Sequence, residues 1–200
     1  MEKINYDNIL ENIIKELDHK PKLLLHSCCG PCSSYVITYL KDYFDITILY
    51  YNPNIEPQEE YEKRKNEQIK LIKELNIPSL SLYDTGYENE VYRESVKGHE
   101  KDIEGGSRCH LCYELRLKKT HSIAIDNNFE FFGTTLTVSP YKNASVLNKI
   151  GESLSSDGKV KWLYSDFKKK DGYKKSIELS KEYNLYRQDY CGCLFSKREE

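Results

Sequence analysis

The sequence predicts an α/β protein whose mainly parallel sheet is connected by crossover helices. Two observations carry this prediction. Short apolar or β-branched runs alternate with segments of ten or more residues that have helical periodicity, which is the pattern of repeated strand–helix–strand units. The chain has 200 residues, of which 38% are hydrophobic and 31% charged, so it can bury a core without disulfide bonds.

Five strands follow from short apolar runs that end at turn-forming residues. They are expected at residues 22–26, 46–51, 80–83, 129–134 and 161–163. Helices are expected between them, because the intervening segments place apolar side chains three or four positions apart. These helices cover residues 33–42, 56–76, 109–127 and 174–183, and a further amphipathic helix is expected within residues 1–20.

The whole chain, residues 1–200, is interpreted as a single domain. An irregular, glycine-containing insertion is expected at residues 84–108, and a cysteine-bearing C-terminal tail at residues 186–200. No apolar run approaches the length of a membrane span, about 18 residues, and the N-terminus has no apolar centre typical of a signal peptide. We therefore expect a cytoplasmic protein without a membrane partner, whose thiols stay reduced unless they have a redox or metal role.

The net charge of −2 excludes a globally basic protein, so a nucleic-acid partner would need local basic patches. The 17 tyrosines can stack on unpaired bases, although aromatic residues at the rim of a core are the more ordinary interpretation. Solvated faces are likewise the ordinary interpretation of the basic runs. These runs are Arg116/Lys118/Lys119, Lys168/Lys169/Lys170 and Lys174/Lys175.

Seven cysteines fall in three tight groups, and these groups carry most of the functional information. They are Cys28-Cys29-Gly30-Pro31-Cys32, Cys109-His110-Leu111-Cys112 and Cys191-Gly192-Cys193. Thiols at such short spacing can share a metal or cluster, or exchange a disulfide. Soft all-sulfur ligation suits zinc or iron–sulfur centres and excludes calcium and magnesium.

The first cysteine group directly follows the first predicted strand, and residues 135–140 follow the fourth. Both loops are expected to open on the same edge of the parallel sheet, where ligands collect in such folds. Gly30-Pro31 supplies the turn that lets Cys28 and Cys29 face one centre. Cys32 is expected near a helix N-terminus, which favours the thiolate.

Each group also has a narrower interpretation. Cys29-Gly-Pro-Cys32 spells the active-site tetrapeptide of thioredoxin, which predicts a thiol oxidoreductase but leaves the other cysteines unused. The Cys109-x2-Cys112 spacing is that of a metal knuckle, as in a zinc-stabilised RNA-binding module, with His110 expected as an exposed non-ligand. Cys191-x-Cys193 can close a strained disulfide or clamp one metal ion. Seven thiols exceed one structural zinc site and match a four-thiolate cluster plus a second thiol or metal site.

Five stretches together point to a family. They are Leu25-His26-Ser27-Cys28-Cys29-Gly30-Pro31-Cys32, Tyr50-Tyr51-Asn52-Pro53-Asn54-Ile55, Arg108-Cys109-His110-Leu111-Cys112-Tyr113-Glu114-Leu115-Arg116, Gly133-Thr134-Thr135-Leu136-Thr137-Val138-Ser139-Pro140-Tyr141-Lys142 and Tyr190-Cys191-Gly192-Cys193. With them, the chain resembles the epoxyqueuosine reductases of the QueH type. The resemblance implies an adenine-nucleotide hydrolase-like (PP-loop, HUP-like) three-layer architecture. It also implies the last step of queuosine biosynthesis, the reductive deoxygenation of epoxyqueuosine to queuosine at the wobble position of tRNA.

The resemblance further implies two metal centres, a [4Fe–4S] cluster and an adjacent mononuclear iron. Carried over by position, the cluster ligands would be Cys28, Cys29, Cys109 and Cys112. The expected catalytic residues are Cys32, as a ligand to the second iron, and Cys191 and Cys193, as further ligands or as a redox-active pair. The expected partners are a tRNA with a queuosine-type anticodon and an electron donor that the sequence does not identify.

Deoxygenation of an epoxide also needs a proton donor, because the oxygen leaves as hydroxide or water. The candidates are the hydroxyl side chains near the end of the fourth strand: Thr134, Thr135, Thr137, Ser139 and Tyr141. Cationic side chains are expected to contact tRNA phosphates. These are Arg108, Arg116, Lys142 and Lys168–Lys170.

Overall fold

The computed structural model describes residues 4–197. Its five strands are β1 (Lys22–His26), β2 (Asp45–Tyr50), β3 (Ser81–Asp84), β4 (Phe131–Thr134) and β5 (Lys161–Trp162). All neighbouring strands pair in parallel, in the order β3-β2-β1-β4-β5. The predicted parallel sheet with crossover helices is confirmed.

Seven α-helices connect and cover the strands. They are α1 (Tyr6–Lys15), α2 (Gly30–Leu40), α3 (Gln58–Leu75), α4 (Asn89–Ser95), α5 (Ser107–Asp126), α6 (Ala144–Leu154) and α7 (Gly172–Glu182). One face of the sheet is covered by α1, α2, α3 and α7, and the other by α5 and α6, with α4 against α5. The three-layer α/β architecture is therefore confirmed.

Strand β1 contributes side chains to a hydrophobic core on each face of the sheet. Its residues alternate between the two faces, as side chains on a strand must. Leu23 and Leu25 pack in the apolar cluster that includes α2, whereas Leu24 packs in the cluster that includes α5. All three side chains are fully buried, which explains why β1 reads as a continuous apolar run.

Two helices lie where the sequence predicted none. Helix α4 falls inside residues 84–108, so the expectation of an irregular segment is wrong for Asn89–Ser95. A helix this short is marginal by itself, and it is held because Tyr92 packs with Cys112 and Cys193. Helix α6 begins at the Asn143 cap, whose side chain accepts hydrogen bonds from the amides of Ser145 and Val146.

The chain order places a ligand site at the middle of the sheet. From β1 the chain first adds β2 and β3 on one side and later adds β4 and β5 on the other. The carboxyl ends of β1 and β4 therefore flank the point where the strand order reverses, which is where open α/β sheets bind ligands. No helix within residues 4–197 combines the length and apolarity needed to cross a membrane.

His26 ties the strands together at this point. Its Nδ1 lies 3.0 Å from Oγ1 of Thr134, and its Nε2 lies 3.1 Å from the carbonyl oxygen of Tyr51. Burial lowers the pKa of His26 to about 3, so the imidazole is neutral. A neutral ring can donate from Nε2 to Tyr51 and accept at Nδ1 from Thr134. The carboxyl ends of β1, β2 and β4 are thereby joined.

Candidate metal centre

The first cysteine group forms the turn from β1 into α2. Cys29 is the N-cap of α2, and its sulfur accepts a hydrogen bond from the amide of Cys32 at 3.4 Å. The Cys29 thiol thus caps the helix, a role that a serine or aspartate side chain usually has. The sulfurs of Cys28, Cys29 and Cys32 all lie within 4.8 Å of one another. The predicted convergence of these thiols at a helix N-terminus is confirmed.

These three thiols ionise unequally. Burial opposes ionisation of Cys29, but hydrogen bonds from Cys28, Cys32 and the Gln188 amide lower its pKa well below the usual value. The Gln188 Nε2 lies 3.0 Å from the Cys29 sulfur. The thiol of Cys28 donates to Cys29, which raises the pKa of Cys28 to about 11. One thiolate therefore forms first and holds its neighbours protonated, as expected for closely coupled sites.

The second cysteine group lies in the first turns of α5. Cys109 and Cys112 are both buried, and the amide of Gly105 donates to the Cys109 sulfur at 3.2 Å. Burial raises the pKa of Cys112 to about 12. His110 lies in the same helix but is exposed, so it points away from the sulfurs, as expected for a non-ligand.

The third group is held by side chains from other elements. The ammonium of Lys142 lies 3.0 Å from the sulfur of Cys191, and the hydroxyl of Tyr92 lies 2.9 Å from that of Cys193. Arg64, on α3, donates to the Cys191 carbonyl at 3.1 Å. The amide of Glu56 donates to the Gly192 carbonyl at 2.8 Å. The tail segment that carries this pair is thus fixed at its backbone.

All three groups lie near the carboxyl edge of the sheet. A small cavity of about 10 Å³ is lined by the cysteines of the second and third groups, together with Tyr92, Arg108, Tyr113, Arg116, Lys142 and Ser196. An adjoining cleft of about 1000 Å³ is lined by Cys28, Cys32 and Cys191, among others. Arg116 and Lys142 line both spaces. Six of the seven cysteines therefore line two neighbouring spaces.

The geometry pairs the thiols differently from the expected division into two ligand sets. Cys32 lies with Cys28 and Cys29, whereas it was expected to serve with the third group. Cys109 and Cys112 share their cavity with that third group. All seven cysteines have free thiols in this structure. The division of the thiols among ligand sets stays a prediction.

The residues present fit a thiolate-ligated cluster. The donors are soft sulfurs, most of them buried, and within residues 4–197 the trio Cys28, Cys29 and Cys32 is the one set of three ligand atoms closer than 4.8 Å. Such donors suit iron–sulfur centres or zinc rather than hard cations. The backbone amide of Gly105 and the side-chain amide of Gln188 already donate hydrogen bonds to sulfur, as the groups that support metal ligands commonly do.

Several side chains have roles that the sequence did not indicate. Arg108 and Arg116 were expected at phosphates but are 2% and 1% exposed. Arg108 donates to the carbonyls of Glu100 and Asp102. Lys142, also expected at a phosphate, is buried beside Cys191. Lys168 pairs with Asp166, and Lys170 with Asp7 and Glu11. Charge alone could not show these partners, and those of Lys142 and Lys170 are also distant in sequence.

The five hydroxyl side chains expected as proton donors have different surroundings. Thr134 bonds to His26, and the hydroxyl of Thr137 lies 3.0 Å from that of Ser165, so both have structural partners. Thr135 has a buried hydroxyl with no partner among the described residues. Of the five candidates, only Ser139 and Tyr141 line the cleft.

Comparison with known proteins identifies the family. A family model described as Epoxyqueuosine reductase QueH matches residues 23–199. The chain belongs to this family. The resemblance seen in the five sequence stretches is therefore confirmed, and so is the expectation that the chain is an enzyme.

Relatives named Epoxyqueuosine reductase QueH match nearly the whole chain. The protein of Staphylococcus epidermidis is 40% identical over 207 residues, which is 100% of this chain and 87% of that protein. The Streptococcus pyogenes protein is 37% identical, covering 98% of this chain and 80% of its own length. The Thermotoga maritima protein is 36% identical, covering 88% and 91%. The residues matched by the family model, 23–199, include all three cysteine groups.

Proposed function

We propose that this chain reduces epoxyqueuosine to queuosine at the wobble position of tRNA, the last step of queuosine biosynthesis. The observation that carries the proposal is that the three cysteine groups line a cleft and the small cavity next to it, which share Cys191, in a chain of the QueH family. The reaction takes two electrons and two protons, converts the epoxide carbons into an alkene and releases water. A buried, sulfur-rich site beside an open cleft suits electron delivery to a bound nucleoside.

The proposed cofactors are a [4Fe–4S] cluster and an adjacent mononuclear iron. When bound, the cluster supplies electrons one at a time, and an iron with an open position acts as a Lewis acid toward the epoxide oxygen. The proposed cluster ligands are Cys28, Cys29, Cys109 and Cys112. The proposed ligands of the second iron are Cys32, Cys191 and Cys193, the last two serving alternatively as a redox-active pair. The Cys32 sulfur lies within 4.8 Å of those of Cys28 and Cys29, so an iron held by Cys32 would adjoin the cluster.

The cleft provides the space that a modified nucleobase needs. Its volume of about 1000 Å³ exceeds what a single base fills, and ligand pockets are commonly about 300–1000 Å³. Tyr141 lines the cleft with 74% of its surface exposed, and Arg187 and Gln188 line the same space. An unpaired anticodon base splayed into the cleft can stack on an aromatic ring, which is how single-stranded RNA is commonly read.

Proton delivery is assigned to groups that reach the cleft. The hydroxyls of Ser139 and Tyr141 line it, and they can hold a water or the departing oxygen. The tRNA backbone would be met by exposed cations rather than by the buried arginines. Lys169 and Lys174 are exposed, and Tyr173, next to Lys174 in α7, lines the cleft. Exposed lysines such as these are the proposed contacts for the tRNA phosphates.

The test is mass analysis of nucleosides from tRNA that carries epoxyqueuosine, after anaerobic incubation with the reduced protein. We expect a brown protein with broad absorption near about 400 nm and acid-labile sulfide, and conversion of epoxyqueuosine to queuosine. Unchanged epoxyqueuosine in the presence of an intact cluster would contradict the proposed activity. A colourless protein with stoichiometric zinc would instead support an RNA-binding module, and a metal-free protein that reduces insulin would support a thioredoxin-like oxidoreductase.

A further inference from the structure

Arg116 is a buried cation without a carboxylate partner. Its side chain is 1% exposed, and its Nε donates to the carbonyl of Cys112 at 3.2 Å. Its Nη2 has no hydrogen-bond partner among the described residues. By contrast, the equally buried Arg64 pairs with Glu60 at 2.6 Å. Within residues 4–197, no carboxylate lies at ion-pair distance from Arg116, although a buried charge is strongly unfavourable without compensation.

Thiols line both of the spaces that this guanidinium borders. Arg116 lines both the small cavity that holds Cys112 and the cleft that holds Cys28 and Cys191. A guanidinium stays protonated in proteins, and no carboxylate of the described residues pairs with this one. The thiolates that would ligate a metal centre here are therefore the anions placed to compensate its charge.

We propose that Arg116 is the counter-cation of the sulfur-ligated centre and raises the reduction potential of that centre. The inference rests on the cluster of the proposed function, though not on its substrate. A fixed cation stabilises the reduced state, which carries one more negative charge, more than the oxidised state. Net charge and hydrogen bonds to sulfur are established determinants of cluster potentials. The unpartnered Nη2 gives Arg116 a donor for sulfur in addition to its charge.

An arginine suits this role better than a lysine. Its guanidinium stays protonated in proteins and offers five donors in a fixed plane. One donor already holds the backbone of α5 at Cys112, so the plane is oriented before any cofactor binds. In this scheme Arg116 contacts no reacting atom and acts through the centre, as a positioning residue.

The test measures the midpoint potential of the reconstituted cluster by anaerobic spectroelectrochemical titration. Arg116→Met removes the charge and Arg116→Lys keeps it. Lys118→Gln is the control, because it removes a positive charge from the same helix at a side chain that is 60% exposed and paired with Glu114. We expect Arg116→Met to make one-electron reduction at least tenfold less favourable, a shift of about 59 mV to more negative potential. Arg116→Lys should keep the midpoint potential close to that of the wild-type protein, and Lys118→Gln should leave it unchanged.

An unchanged potential in Arg116→Met, with the cluster absorption intact, would overturn the inference. If Arg116→Met assembles no cluster, Arg116→Lys is compared with the wild-type protein instead. Loss of the cluster in Arg116→Lys as well, with wild-type circular dichroism, would show that the arginine has a geometric role and would overturn the inference. A wild-type protein without any cluster would overturn both this inference and the proposed function. A shifted potential in an enzyme that leaves epoxyqueuosine unchanged would support Arg116 while contradicting only the proposed substrate.

Discussion

The ammonium of Lys142 lies 3.0 Å from the sulfur of Cys191, joining the loop after β4 to the tail segment. The same ammonium lies 3.3 Å from a carboxylate oxygen of Glu104. Burial lowers the pKa of Lys142, but the charge and hydrogen bond of Cys191 raise it above its usual range. Two segments that are 49 residues apart in the chain are thus linked by a permanent positive charge.

Replacing this lysine should impair the reaction. A hydrogen bond to a charged group contributes about 1.5–3 kcal/mol, so we expect Lys142→Met to lower kcat/KM for tRNA deoxygenation roughly 10- to 150-fold. Lys142→Arg should retain more activity, because it keeps the charge. The measurement is steady-state conversion of epoxyqueuosine by the cluster-loaded enzyme. Equal activity of Lys142→Met and wild type, at equal iron content, would show that the contact has no functional role.

The backbone at Gly192 should tolerate no side chain. Its φ is +110°, and an added Cβ would lie 2.9 Å from Ile55 and 3.0 Å from Arg64. Backbone strain of about 1–3 kcal/mol adds to overpacking of similar size, so Gly192→Ala should destabilise docking of the tail by about 2–6 kcal/mol. Limited proteolysis within residues 186–197 reports this directly.

Gly158→Ala provides the control for backbone strain. Gly158 also has a positive φ, +71°, but no atom lies within 4 Å of its added Cβ, so only the conformational cost of about 1–2 kcal/mol applies. Cleavage of the tail should accelerate in Gly192→Ala and stay at the wild-type rate in Gly158→Ala. Equal cleavage in the two variants would contradict the proposed packing of Gly192.

Tyr141 should contribute to substrate binding more than to chemistry. Stacking of a base on an aromatic side chain is worth about 1–3 kcal/mol, so Tyr141→Ala should raise KM for tRNA roughly 5- to 150-fold. Tyr141→Phe keeps the ring and should leave KM unchanged. Any fall in the kcat of this variant would measure the contribution of the hydroxyl to the reaction. If Tyr141→Phe and Tyr141→Ala raise KM equally, the ring does not stack on the substrate.

A pH-dependent contact lies far from the cysteines. His19 is bonded to Asp18 at 2.7 Å and to Glu130 at 2.9 Å, and both carboxylates raise the pKa of His19, Asp18 most. Because the folded-state pKa is raised, this contribution to stability is complete below about pH 6.5 and is lost as pH rises through the folded-state pKa. NMR titration of His19 should show a lower pKa in Glu130→Gln. An unchanged pKa would mean that the contact with Glu130 is absent in solution.

The strands and long helices could be predicted because their signals are local. Strand β1 was predicted at its observed bounds, Lys22–His26, from its apolar run alone. Helix α6 was not predicted, and two of its residues, Asn148 and Gly151, meet requirements that lie elsewhere in the fold. In the fold, the Asn148 side chain accepts from Trp162 and Ser165, and an added Cβ at Gly151 would lie 2.1 Å from the Trp162 ring. Those requirements come from tertiary packing, which no window of sequence contains.

The site was predictable in its thiols but not in what surrounds them. Close cysteine spacing and the position after β1 are sequence features, and both led to the correct edge of the sheet. The partners Lys142, Tyr92 and Gln188 lie between 49 and 159 residues from the sulfurs that they contact. Nothing in the local sequence distinguishes a lysine that meets a thiol from one that meets water. Only the fold makes that distinction.

The imidazole of His26 has a consequence for how a nucleotide can reach the cysteines. It bonds to β4 through Thr134 and to the end of β2 through Tyr51, so the floor of the site cannot widen by spreading these strands without breaking buried hydrogen bonds. The opposite wall is residues 187–197, which belong to no strand and contribute much of the cleft lining. We therefore expect residues 187–197, rather than the strands, to determine how a nucleotide enters and leaves the cleft.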